Sequence, residues 1–238
     1  MELKIVSWNI RKAVGLDWRR DPDRVLRVLS ATGADIVLLQ EADRRMAPRP
    51  PALSRAAIRQ AGYEPLDPHP ATPSIGHHGN AVLVWPDLLA TRIEGLDLPG
   101  FEPRGALLVR IEGRGGAVTL GGMHLGLRRG DRLRQLASVT AALRGFGTPA
   151  VLGGDLNEWR SGAAALPLPR GWRVVAPGPT FHAARPMMRL DRFLVGPGVA
   201  VTGSGVIPKA EALRASDHLP IWVRLRIGGR PDVNSVNE

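Results

Sequence analysis

The chain has no cysteine and a single tyrosine among 238 residues. Without cysteine there are no disulfides, no thiol nucleophile and no Cys-ligated zinc, and the lack fits any compartment. One Tyr and four Phe offer no broad aromatic platform for stacking single-stranded bases. No apolar run is long enough to cross a bilayer, so no integral membrane segment is expected. The opening "MELKIVSWNI" lacks the long apolar core and small-residue cleavage site of a signal peptide, so the cytoplasm is the expected compartment. HExxH and Cys/His knuckles are missing, and a zinc site is not expected. The G-x-S-x-G elbow of serine hydrolases and the GxxxxGKS/T loop of P-loop nucleotidases are missing too. No block of like charges forms a nucleic-acid-binding tail. No repeat at a solenoid period and no linker divides the chain.

Positive charge is what the sequence has in excess. Thirty-two basic against 22 acidic residues give a net charge of +10. Such a surface suits polyanions: nucleic acid, phosphorylated molecules or anionic lipid headgroups. Nearly all of it is arginine in an Ala-, Gly-, Leu- and Pro-rich chain. Codon bias produces the same excess, so charge alone assigns no function.

The apolar pattern predicts strands at 3–8, 35–40, 80–85, 89–98, 105–113, 117–125, 149–157, 189–196, 199–208 and 219–227. Helices are predicted at 21–33, 52–62 and 131–147. Asp21 can cap the first, Pro22 suits its first turn and Gly33 can end it. The last has Leu133, Leu136, Val139, Thr140 and Leu143 on one face. One domain over residues 1–228 is expected, with a flexible tail at 229–238. Helices alternating with strands, then strands joined by short turns, fit an α/β or α+β sandwich of two packed mixed sheets with helices outside.

Several strands end in a polar group that their apolar pattern does not explain. Asn9 closes "IVSWN", Glu41 follows "IVLLQ" and His124 closes "VTLGGMH". Asp155 and Asn157 close "AVLGGDLN", and Asp191 opens a late strand. Asp217 and His218 precede the last one in "RASDHLPIWV". Strand ends are often polar merely because loops begin there, and it is the recurrence that points to a site. Ser216, Asp217 and His218 are the residue types of a hydrolytic triad placed side by side. The acids and amides are hard oxygen ligands, which suit Mg²⁺ or Mn²⁺.

These stretches, taken with "HGNAVL" around Asn80, resemble the endonuclease/exonuclease/phosphatase superfamily, the DNase I-like fold. The segments run in the family's order across almost the whole chain. The resemblance implies a four-layer sandwich of two β-sheets flanked by helices, with the site at one edge. It implies metal-dependent hydrolysis of phosphate esters, with Mg²⁺ or Mn²⁺ as cofactor. Carried over, Glu41 is the main metal ligand, with Asn9 and Asp217 beside the same ion. Asp155 orients or deprotonates the attacking water, and Asn157 holds the phosphate. His218 stabilises the phosphoryl oxygens and Asp191 orients His218. His124 is similar to a second active-site histidine, and Asn80 supports the site. Ser216 then becomes structural.

Arg104 and His78 are weaker candidates for substrate contacts, His77 for the mouth of the site, and Trp159 for a buried loop anchor. Clustered acids predict a site that looks incomplete without its cation. The core motifs do not choose a substrate. A phosphodiester is expected, with DNA or RNA slightly favoured by charge. A phospholipid or phosphosugar ester is the alternative, and a non-catalytic nucleic-acid-binding domain the remote one. The protein is expected to be a monomer.

Overall fold

The computed structural model describes residues 1–43, 48–113, 115–160 and 165–228. The tail predicted at 229–238 lies outside the described residues. Two six-stranded sheets pack face to face. The first contains β1 (Glu2–Asn9), β2 (Ile36–Gln40), β3 (Glu64–Leu66), β4 (Ala81–Val84), β11 (Val199–Val206) and β12 (Ile221–Ile227), in the order β11-β12-β1-β2-β4-β3. The second contains β5 (Leu89–Leu98), β6 (Arg104–Gly113), β7 (Gly116–His124), β8 (Ala150–Asp155), β9 (Arg173–Val175) and β10 (Asp191–Val195), in the order β5-β6-β7-β8-β10-β9. Among the described residues the α-helices are α1 (Pro22–Ser30), α2 (Arg55–Gln60), α3 (Arg129–Ala142) and α4 (Ala210–Ala215). This is the four-layer α/β sandwich that the sequence predicts.

Burial follows each strand's place in the layers. Central β2 is buried at every residue, because apolar groups cover both of its faces. β12 alternates instead: Ile221, Val223, Leu225 and Ile227 are buried, whereas Arg224 and Arg226 are exposed. Those four meet Ile5, Leu38, Leu107, Leu120 and Phe193 in the core between the sheets. The outer face of the first sheet packs Trp8, Val37 and Leu39 against Val25 and Leu29 of α1, with Ile58 of α2 and Ala212 of α4. The second sheet packs Leu108, Leu152 and Leu194 against Leu136 and Val139 of α3.

Local signals explain the first helix. The Asp21 carboxylate accepts from the Arg24 N–H and Pro22 takes the first turn. Helix α2 starts later than predicted, where the Ser54 hydroxyl caps the Ala57 N–H. Helix α3 departs further from its reading. Its buried side includes Asp131, Arg132 and Gln135, while Leu133 is only partly buried. Strands β3 and β9 and helix α4 are short elements that the apolar pattern did not predict.

Topology places the polar strand ends. β1 and β2 are parallel, as are β7 and β8, and in each pair an outer helix makes the crossover. All four therefore finish at one edge of the sandwich. β12 runs antiparallel to β1, β4 to β2 and β10 to β8, so these three begin at that edge. Strand ends and strand starts thus converge, which is where ligands bind in sheets with parallel crossovers.

Candidate active site

Asn9, the last residue of β1, ties the two sheets together at this edge. Its Nδ2 donates to Asp155 Oδ2 at 3.1 Å, and its Oδ1 accepts from the Arg11 N–H at 3.1 Å. Asp155 is the hub on the second sheet. It pairs in register with His124 on β7 and with Asp191 on β10. Its Oδ1 accepts from the Asn157 N–H at 3.0 Å. His124 Nε2 and His218 Nε2 lie 3.3 and 3.6 Å from its Oδ2. His218 Nδ1 is 2.8 Å from Asp191 Oδ2, which also accepts from the Thr180 hydroxyl at 2.5 Å.

This packing sets the charges. Burial pushes the Asp155 carboxyl up to about 6, although the His218 charge pulls the other way. Burial alone would lower His218. The Asp191 carboxylate opposes it through charge and hydrogen bond, Asp155 and Asp217 add to that, and the imidazole rises to about 10. At neutral pH the pair is a carboxylate facing an imidazolium. Asp155, Asp191 and His218 bring three donor atoms within 4.8 Å of one another. A cation placed among them would meet that imidazolium.

A second group lies around a turn after β1. Arg11, Lys12 and Ala13 all have positive φ, at 46°, 58° and 60°. Left-handed backbone is costly for residues with a Cβ, and three in succession mark a strained segment. The turn brings the Lys12 ammonium onto Glu41 Oε2 and sets Arg11 Nε 3.6 Å from Asp217 Oδ2. Glu41 itself has φ 52° and follows Gln40, the register partner of Asn9. The sequence predicts a site that looks incomplete without its cation; at Glu41 and Asp217 the chain's own Lys12 and Arg11 supply positive charge. Arg11 and Lys12 were missed because a left-handed turn has no periodic signature.

Glu41, Asp217 and the Asn9 amide each offer oxygen donors to the groups of this turn. That chemistry fits Mg²⁺ or Mn²⁺, and ammonium and guanidinium groups already lie against both carboxylates.

Ser216 is not a nucleophile in this arrangement. Its hydroxyl donates to the Asn9 carbonyl at 2.6 Å, and both His218 ring nitrogens face carboxylates. The Trp8 indole N–H holds the His218 carbonyl at 2.8 Å. Phe181 lays its ring 4.9 Å from that of His218.

The "GGDLNEW" stretch is shaped by close approach. A Cβ on Gly154, whose φ is +155°, would lie 1.8 Å from the Met123 carbonyl oxygen. Asn157, with φ 49°, donates from Nδ2 to the Leu125 carbonyl at 2.9 Å. Trp159 is 55% exposed, so it does not anchor this loop as expected. Glu158 does. It is buried and paired with Arg132 of α3 at 3.1 Å, while Arg192 donates to its carbonyl at 2.6 Å. Burial raises the Glu158 carboxyl, but the Arg160 N–H and Arg132 outweigh it and hold it below the usual range.

The weaker candidates sit at the margin. Asn80 Nδ2 donates to the Gly105 carbonyl at 2.8 Å and so joins β4 to β6. His77 and His78 set their Nε2 atoms 2.9 and 2.8 Å from one Asp97 oxygen. Arg104 is buried, with its guanidinium 2.6 Å from Glu102.

The family model described as "Endonuclease/Exonuclease/phosphatase family" matches residues 6–218. An uncharacterized Escherichia coli (strain K12) protein, YbhP, is 31% identical over 163 residues, covering 64% of this chain and 64% of YbhP. The match thus spans just under two thirds of that relative's length. Among solved structures, the mannosyl-6-phosphatase Bt3783 of Bacteroides thetaiotaomicron has a TM-score of 0.73 at 18% identity, over 94% of this chain and 100% of that one. TDP2 of D. rerio, complexed with a single-strand DNA product, has a TM-score of 0.68 at 19% identity, over 94% and 99%.

Proposed function

Because the chain belongs to the endonuclease/exonuclease/phosphatase family, whose members are phosphoester hydrolases, we propose that it hydrolyses phosphodiester bonds with a divalent cation as cofactor. The observation that carries this reading is the buried Asp155–His218–Asp191 relay, to which the Asn9 amide is hydrogen-bonded. A cation held by Glu41, Asp217 and Asn9 would offset the substrate's charge and polarise the phosphate. The His218 imidazolium donates to a phosphoryl oxygen and stabilises the charge that builds there. Asp191 fixes the ring and keeps it protonated. Asp155, with a pKa of about 6, takes a proton from the attacking water near neutral pH. Asn9 and His124 both meet Asp155 Oδ2 and hold that carboxylate in place. Asn157 anchors the loop beside the phosphate.

The net charge suits nucleic acid and an anionic lipid surface equally. A second reading, phosphosugar monoester hydrolysis, draws on the likeness to a mannosyl-6-phosphatase. Purified protein with Mg²⁺ or Mn²⁺ should hydrolyse bis(p-nitrophenyl) phosphate, and EDTA should stop it. Glu41→Gln and Asp155→Asn should each remove most turnover. Wild-type rates in both variants would refute the assignment. Activity on mannose 6-phosphate with none on diesters would favour the second reading.

A further inference from the structure

Among the described residues eight large hydrophobic side chains are exposed, and five of them stand on loops at the catalytic edge. Trp18 follows β1. Phe101 joins β5 to β6, and the start of β6 lies beside the end of β7. Leu127 follows β7, Trp159 follows β8, and Met187 precedes β10. Their exposures are 76%, 77%, 63%, 55% and 69%. Trp85 and Leu89, by contrast, lie at the opposite edge and Val174 lies within β9. All five remain in water on separate loops of that edge, as an apolar ring.

Each member of the ring has an arginine beside it. Exposed Arg19, Arg128 and Arg160 follow Trp18, Leu127 and Trp159, and exposed Arg189 is two residues past Met187. The Arg128 guanidinium stacks 4.5 Å from the Phe101 ring. Among the described residues of these loops the one exposed acid is Asp17, which pairs with Arg24 at 2.8 Å. Apolar tips flanked by fixed cations match the boundary between anionic headgroups and acyl chains. Nucleic acid matches less well. Leu127 and Met187 have no ring to stack on bases, and a polyanion in water offers them no apolar phase.

The ring is joined to the chemistry. Arg11 lies 4.5 Å from the Trp18 ring and 3.6 Å from Asp217. The Phe181 carbonyl accepts from the Met187 N–H at 2.9 Å, and its ring packs on His218. No described helix is long and apolar enough to cross a membrane, so the contact would be a docked one. We infer that this rim seats the catalytic edge on an anionic phospholipid surface and that the ester cleaved belongs to a lipid headgroup. The substrate half of this inference rests on the phosphoesterase reading. The docking half does not.

The test measures the two separately. Wild-type protein is sedimented with vesicles of phosphatidylglycerol and phosphatidylcholine, with vesicles of phosphatidylcholine alone, and mixed with plasmid DNA. The comparison variant combines Leu127→Glu, Trp159→Glu and Met187→Glu. All three side chains are more than half exposed, so bis(p-nitrophenyl) phosphate turnover should be unchanged, which also shows the variant folded. The expected result is binding to the anionic vesicles, weakened at least about tenfold in the variant, with phosphate ester released from vesicle lipid by wild type alone. Equal vesicle binding by both proteins overturns the inference. So does wild-type indifference to anionic vesicles, or DNA binding that the variant loses in their place. Failure to cleave any soluble ester would sink the phosphoesterase reading and leave the vesicle-binding result to stand or fall alone.

Discussion

His218 Nε2 lies 3.6 Å from Asp155 Oδ2; burial raises the Asp155 carboxyl to about 6, whereas the neighbouring carboxylates, Asp191 first, overcome burial and raise the imidazole to about 10. Between those values one group accepts protons while the other donates.

A bell-shaped pH profile follows. The ratio kcat/KM should rise as pH passes about 6, when Asp155 ionises, and fall near 10, when His218 loses its proton. Asp191→Asn should bring the alkaline limb down, because the carboxylate that raises His218 is gone. The sign for stability differs from that for rate. The folded-state pKa of His218 exceeds the ordinary imidazole value of 6.5, so its contribution is full below 6.5 and is lost as pH rises toward 10. The pKa of Asp155 is also raised, from 3.8, so its ionisation lowers stability as pH rises through about 6. Rate and denaturation midpoints measured over the same pH range check both.

Ser216 and His218 should separate cleanly. Ser216→Ala removes a buried hydrogen bond and should cost about 1 kcal/mol of stability while most turnover survives. His218→Ala should lower kcat by about two to three orders of magnitude. Comparable losses of turnover in the two would restore the triad reading.

Lys12 occupies the Glu41 carboxylate that a divalent cation would use. Removing that ammonium should tighten Mn²⁺ binding, because the metal no longer displaces a resident charge. Calorimetry on metal-free Lys12→Met should therefore show a lower Kd than wild type. An equal or higher Kd would assign Lys12 a supporting role at the ion.

The Arg132–Glu158 pair is buried on both sides. Either Arg132→Met or Glu158→Gln should destabilise the fold by about 3–5 kcal/mol, since each strands a partner. The combined change should recover part of that loss in urea unfolding. Each single change should also lower turnover through the Asn157 loop.

The sequence made the catalytic edge visible through polar residues at the ends of apolar strands. Asn9, His124 and Asp155 interrupt patterns that burial otherwise explains, and the parallel pairs bring them together. Helix α1 was legible because Asp21, Pro22 and the apolar face agree. Other parts left no such trace. β3 and β9 have three residues each, too few for an alternation to register, and Pro65 argues against a strand. Helix α4 has six residues and buries only Ala212 and Ala215, which leaves no apolar stripe. Nothing in the local pattern marks Glu158 and Arg132 as buried, because each is neutralised by a residue far along the chain. Arg11 and Lys12 depend on three left-handed residues, a local conformation that composition does not announce.

The order of strands has a consequence for how the protein is made. The second sheet is one continuous stretch, β5 to β10, and the first is closed only when β11 and β12 join β1. A ribosome therefore delivers the whole second sheet while β1 still waits for its antiparallel neighbour. Asp217 and His218 arrive just ahead of that closing strand. Activity should appear late and all at once during synthesis, and no fragment ending before residue 216 should show any.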